Sequence, residues 1–193
     1  LVVGPDFAMG RDREGTIDHL TDLGRGMDFF ITVVDVLRDN GVGTVRSTTI
    51  RTALLDGDVE RVTDLLGRRF TLEGTVVSGE KRGGPLGFPT ANIEPPEGMA
   101  IPGDGVYATF AHLRDRRMMA ATSIGTRPTF KEGGRTIEAF LLDFSEDIYG
   151  QTLRLEFVKR LRGEEKFDSV DVLLSQINKD VQQTREYLTA ATA

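Results

Sequence analysis

The sequence predicts a mainly β fold: a small antiparallel, Greek-key-like barrel, closed or nearly so, with a C-terminal helix and a partial α/β segment in front. Three observations carry this. From Arg68 onward, runs of nine or ten residues rich in apolar and β-branched side chains alternate with turns, and no helical period appears before about Asp168. Several runs are apolar on both alternating faces; in Ile137-Glu138-Ala139-Phe140-Leu141-Leu142 only Glu138 interrupts. A sheet with one wet face would alternate cleanly, so a small closed barrel fits best. Residues 1–67, in contrast, read as strand, helix and strand followed by further helices, which places a domain boundary between residues 67 and 68.

In chain order, Leu1 to Gly4 reads as a short buried strand, and a helix is expected from about Arg13 to Leu23. Asp28 to Val34 reads as a second strand, completing a β-α-β unit. Another helix opens near Ser47 or Thr48 as N-cap, with Ile50, Leu54 and Leu55 on its apolar face; Asp58 caps the next, with Val62, Leu65 and Leu66 apolar. The barrel strands are expected at Phe70–Ser78, Gly105–Leu113, Arg116–Ile124, Arg135–Phe144 and Thr152–Arg160, with one more after Thr90. The last helix spans about Asp168 to Leu188, capped by Asp168 or Ser169, with Leu173, Ile177 and Val181 facing the barrel. The tail after Leu188 has only small residues to bury and is expected to fray.

Composition narrows the function classes. At 193 residues with 39% hydrophobic and 28% charged side chains, the chain is globular, and no apolar run approaches the ~18 residues of a membrane span. A net charge of −6 argues against a general nucleic-acid binder. The lack of cysteine excludes disulfides and thiolate chemistry and points to a reducing, cytoplasmic setting. His19 and His112 are too distant in sequence to propose a histidine metal cluster or a Ser-His-Asp arrangement from spacing. The opening Leu1-Val2-Val3-Gly4 reads like the middle of a domain.

The most informative stretch is Gly79-Glu80-Lys81-Arg82-Gly83-Gly84-Pro85-Leu86-Gly87-Phe88-Pro89-Thr90-Ala91-Asn92. Its glycines and prolines forbid a regular element and leave backbone N–H groups to meet a ligand such as phosphate. Thr90 and Asn92 are neutral oxygen donors that, on an extended backbone, point to one side and can share a hard cation. The plainer alternative is a surface turn, with Lys81 and Arg82 as solvated charges.

The order Gly-x-x-Arg-Gly-x-x-Leu-Gly-Phe-Pro-Thr-Ala-Asn resembles the signature of the riboflavin kinases. Further stretches resemble that family in the same order: Gly105-Val106-Tyr107-Ala108, Ile124 through Phe130, Glu138 through Tyr149-Gly150, and Leu161-Arg162-Gly163-Glu164-Glu165-Lys166-Phe167. The resemblance implies a kinase using Mg2+ and ATP to phosphorylate the ribityl 5′-hydroxyl of riboflavin, giving FMN and ADP. It places ATP and phosphate contacts at Gly79, Lys81, Arg82, Gly83, Gly87, Thr90 and Asn92, with the metal on Thr90 and Asn92. It also places the catalytic base at Glu138 and flavin contacts at Arg162, Glu165 and Phe167. Arg127 and Phe130 read as loop supports. From pattern alone, Glu138 is equally a strand carboxylate facing water, and Arg162 to Lys166 a solvated charge run.

Ahead of the barrel, Gly4-x-Asp6-Phe7-x-x-Gly10-x-x-Arg13-x-Gly15 and Ser47-Thr48-x-Ile50-Arg51 resemble later motifs of the FMN adenylyltransferase half of bacterial bifunctional FAD synthetases. Ser47, Thr48 and Arg51 would there meet nucleotide phosphates. Arg46 stands where that family commonly has serine, and its His-x-Gly-His element does not occur in these residues. The chain as given is therefore expected to make FMN but not FAD. The competing reading is a flavin-binding barrel without catalysis, which would not need Thr90, Asn92 and Glu138 together.

Overall fold

The computed structural model describes residues 1–35, 38–39, 43–79, 84, 86–126 and 135–192. They form two compact units, Leu1–Ser47 and Thr48–Ala193. The division falls earlier than the boundary read from sequence, so the helices ahead of residue 67 group with the barrel.

In the first unit, β1 (Val2–Val3) is followed by the antiparallel pair β2 (Ala8–Met9) and β3 (Gly15–Thr16), then α1 (Ile17–Met27) and β4 (Thr32–Val33). The parallel pairing of β4 with β1 completes the expected β-α-β unit. A last antiparallel pair is β5 (Arg38–Asp39) and β6 (Gly43–Thr44). The helix begins four residues later than expected because Asp12 and Arg13 hold left-handed backbone at φ 53° and 61°. Thr16 instead caps it, its hydroxyl accepting the His19 N–H at 3.3 Å. Asp28, read as the start of a strand, is the left-handed stop of α1, which leaves only Thr32–Val33 to pair.

The second unit takes in α2 (Ser47–Leu55) from Thr48, and α3 (Val59–Leu66), whose N-cap Asp58 accepts the Arg61 N–H at 3.0 Å. The barrel strands are β7 (Thr71–Val77), β8 (Ala91–Glu94), β9 (Gly105–Leu113), β10 (Arg116–Thr126), β11 (Arg135–Leu141) and β12 (Thr152–Arg162). They close in the order β10-β11-β8-β7-β12-β9, with every pairing antiparallel. The links β8 to β9 and β11 to β12 skip over neighbours, which gives the Greek-key character.

Large side chains fill the interior: Leu72, Tyr107, Ile124, Ile137, Leu155 and Phe157 are all buried there. Each is worth about 1.5–3 kcal/mol of transfer free energy. The Tyr107 ring meets Phe157 edge-on at 5.4 Å, and its hydroxyl donates to the Gly103 carbonyl at 2.5 Å. Burial pushes this phenol above its ordinary pKa against the nearby Arg160 and Arg135 charges, so it stays a donor. An interior packed this way is a core and not a ligand chamber; a substrate must bind to the outer wall or at an end of the barrel.

The outside is partly covered by α4 (Val170–Ala190), which packs on β9, β10 and β12 and buries Leu188 with Ala108 and Phe110. Ser169 caps it by accepting the Val172 N–H at 3.3 Å. Leu173, Ile177 and Val181 are half-buried, whereas the fully buried positions are Asp180, Thr184 and Leu188. The helix runs through Ala190 instead of fraying after Leu188, because Ala191 packs near Leu188 and Arg69 donates to its carbonyl at 3.2 Å. Among the described residues, no helix is long and apolar enough to cross a membrane.

Candidate functional site

β11 alternates strictly. Ile137, Ala139 and Leu141 are buried, while Thr136, Glu138 and Phe140 are half-buried on the outer side. Its head is fixed by Arg135, which donates to Asp104 at 2.8 and 2.6 Å, to the Ile101 carbonyl at 3.2 Å and to the Pro102 carbonyl. A bidentate guanidinium holds its partners in one geometry, so the strand carrying Glu138 is rigidly placed.

Three strands then bring the predicted residues together. Asn92 lies directly across from Glu138 on β11 and from Val77 on β7. Thr90, two residues before Asn92, donates its hydroxyl to Glu138 Oε2 at 3.2 Å. Gly79 lies just past Val77, and a Cβ there would collide with the Asn92 side-chain amide. Only glycine permits that approach, so Gly79, Thr90, Asn92 and Glu138 converge on one patch of the outer wall. The loop before Thr90 is anchored by Phe88, whose ring meets Phe140 edge-on at 5.3 Å. Gly87 turns that loop at φ 85°, with its N–H on the Gly84 carbonyl at 3.1 Å.

Chemically the patch offers a carboxylate, a hydroxyl and an amide carbonyl. Thr90 uses its one proton on Glu138, which leaves its lone pairs to face a cation, and Asn92 Oδ1 adds a second neutral oxygen. Among the described residues no group of three or more His, Cys, Asp or Glu gathers in a metal-binding arrangement. Magnesium needs no such cage, since it keeps water and takes one or two protein oxygens beside substrate phosphates. The donor set therefore fits a nucleotide-borne Mg2+.

A cleft of about 300 Å³ opens beside Thr90, walled by the apolar Val76, Pro89, Leu141, Phe144, Ile148 and Tyr149 and by the polar Ser145, Glu146 and Asp147. Sequence reasoning matched the stretch through Tyr149 to the family without giving these residues a role. Their signal was the aromatic pair Phe144 and Tyr149 flanking a short turn.

The other predicted residues divide. Lys81, Arg82 and Gly83 lie outside the described residues, as do Arg127 and Phe130. Glu165 is exposed and Phe167 half-buried on the segment after β12. Arg162 is engaged within the protein. It donates to both Asp180 oxygens at 2.8 to 3.1 Å and to the Gly163 carbonyl at 3.0 Å, and lies 5.6 Å from the Phe167 ring centre. Glu164 brings the same segment toward the wall, because a side chain at Gly125 would run into its carboxylate. Gly125 follows Ser123 by two residues, and Ser123 pairs with Glu138. The segment thus reaches the outer face roughly 7 Å along the strands from Glu138.

Ser47, Thr48 and Arg51 are all exposed in the first turns of α2.

A family model described as riboflavin kinase matches residues 66–188. Among curated relatives, a bifunctional riboflavin kinase/FMN adenylyltransferase of Listeria monocytogenes is 38% identical over 97% of this chain and 59% of its own length. One of the same description from Escherichia coli is 37% identical over 97% of this chain and 59% of its own length. A crystal structure of a Streptococcus pneumoniae protein described as a macrolide-efflux protein superposes with a TM-score of 0.83 at 35% identity, covering 94% of this chain and 58% of that one. The chain thus spans about three fifths of the length of the relatives it matches. With a family match over most of its residues, the chain belongs to the riboflavin kinase family.

Proposed function

We propose that this chain transfers the γ-phosphoryl group of ATP to the 5′-hydroxyl of riboflavin, yielding FMN and ADP. The observation that carries this is the convergence of Thr90, Asn92 and Glu138 on one outer patch, with the Thr90 hydroxyl bonded to the Glu138 carboxylate. The acceptor oxygen attacks the γ-phosphorus, the bond to the β–γ bridging oxygen breaks, and ADP leaves with that electron pair. Glu138 takes the hydroxyl proton as the new P–O bond forms. Gly79 and Gly84 would offer backbone N–H groups to the phosphates, and the charges of Lys81 and Arg82 suit the same role. The apolar side of the cleft beside Thr90 offers a surface for a flat base.

Thr90 and Asn92 would hold Mg2+, which when bound would supply charge neutralisation to the phosphates. The remaining task, holding the flavin so that its hydroxyl lies in line, falls to the segment after β12 with Glu165 and Phe167. The bifunctional names of the relatives support a second proposal: a parent chain of their full length also adenylylates FMN to FAD, with Ser47, Thr48 and Arg51 at its nucleotide phosphates.

The test is product chromatography with the purified 193-residue chain. Riboflavin and MgATP should give FMN, while FMN and MgATP should give no FAD. Absence of FMN would reject the kinase reading, and appreciable FAD would reject the reading of residues 1–67.

A further inference from the structure

We propose that Asp180, on the inward face of α4, is a positioning residue for the flavin-holding segment; this rests on the kinase reading above. Asp180 is 3% exposed and lies within a helix face that apolar periodicity would assign to leucine or isoleucine. A buried carboxylate needs a full set of partners. It has them: three contacts from Arg162, and the Gln176 amide on Oδ1 at 2.9 Å, while Thr184 donates to its backbone carbonyl at 2.7 Å.

The consequence falls on the segment 163–167. Arg162 is the last residue of β12, and with its fork fixed by Asp180 it binds the Gly163 carbonyl and lies over Phe167. Both ends of the segment are thereby tied to one guanidinium. Its middle is seated separately, with the Glu164 carboxylate against Gly125, on the strand that pairs with β11 beside Glu138. Arg162 therefore acts through the segment it holds. Asp180 does not touch the substrate; it determines where Glu165 and Phe167 stand relative to Glu138. A rigid second layer of this kind controls affinity for whatever the first layer holds.

The experiment uses the whole chain and three variants. Asp180→Asn keeps the shape and loses the charge, Arg162→Lys keeps the charge and loses the fork, and Gly125→Ala displaces Glu164 without touching the buried pair. All three should raise the riboflavin KM about tenfold while the MgATP KM stays within about twofold. Asp180→Asn and Arg162→Lys should also speed tryptic cutting after the exposed Lys166, and added riboflavin should slow that cutting in the unaltered chain. A folded Asp180→Asn protein with an unchanged riboflavin KM, or with both KM values raised alike, overturns the proposal. Where Asp180→Asn does not fold, Arg162→Lys, which leaves Asp180 in place and removes the fork it holds, decides by the same two constants. If the unaltered chain makes no FMN, the kinase reading fails by itself; lack of riboflavin protection at Lys166 then overturns the positioning role too.

Discussion

Glu138 and Glu156 are two half-buried carboxylates on the outside of one barrel, and they behave differently. Glu156, on β12, is gripped by Arg69 at 2.7 Å and by His112 at 3.1 Å, and Arg69 continues to the C-terminal end of α4. Glu138, on β11, meets the Thr90 hydroxyl, faces Asn92 across the ladder and stands next to a cleft and a glycine-rich loop. A carboxylate interrupting an apolar strand is thus a weak signal by itself. Its meaning comes from what other segments bring to it: Arg69 and His112, which knit helix to barrel, in one case, and the Thr90 hydroxyl with Asn92 across the ladder in the other.

The sharpest way to break the contrast is to replace each glutamate by glutamine. Glu138→Gln should lower turnover by roughly 10²–10⁴-fold, the range of general-base assistance, while both substrates bind nearly normally and the unfolding midpoint barely moves. Undiminished turnover in a folded Glu138→Gln protein would reduce Glu138 to another structural carboxylate.

Next in size is the neighbour. Asn92→Ala should weaken MgATP binding about 10- to 100-fold, the equivalent of ~1.5–3 kcal/mol for a contact to a charged group, with riboflavin affinity little changed. Titration with each substrate decides; a loss confined to riboflavin would reverse the assignment of this end of the wall.

Glu156→Gln should do the opposite of Glu138→Gln, costing about 1–3 kcal/mol of stability and leaving turnover within about twofold. Burial by itself raises the Glu156 carboxyl, but hydrogen bonds from Arg69 and His112, reinforced by their charges, outweigh it and hold its pKa below the ordinary 4.5. With the folded value depressed, its contribution is complete above about pH 4.5 and is lost as pH falls through the folded value. Urea midpoints of the two proteins should therefore converge on acidification below that point; a constant gap would show that the ion pairs are not its source.

The smallest effect is expected at α2. Alanine at Ser47, Thr48 and Arg51 together should change FMN formation by less than about twofold, since all three side chains are exposed. A large loss would extend the kinase site beyond the barrel.

The barrel was legible because its strands are long and bounded by glycine and proline, and because apolar residues on both faces of β11 leave a closed, covered sheet as the simplest arrangement. The Thr90, Asn92 and Glu138 convergence was legible through the family's motif order; spacing alone places Thr90 with Asn92 but says nothing of β11. What was hidden is long-range and polar. Nothing local in Arg162 announces Asp180, eighteen residues on, and the apolar spacing of Leu173, Ile177 and Val181 draws the eye from the polar residues that α4 buries. The bounds of α1 failed for a local reason, left-handed backbone at Asp12 and Arg13, which side-chain type does not dictate.

The wall of this barrel is one residue thick, and that sets which errors of inheritance it can absorb. Along β11, Ile137 and Glu138 are chain neighbours with opposite destinations, one in the core and one on the outer wall beside Thr90. Substitutions at odd and even positions are therefore separable, altering firmness of fold or chemistry but seldom both. Gain or loss of a single codon inside the strand is different in kind: it would turn the carboxylate inward and the isoleucine outward in one step. Lineages carrying this fold can drift in residue type along β11 while its length stays fixed.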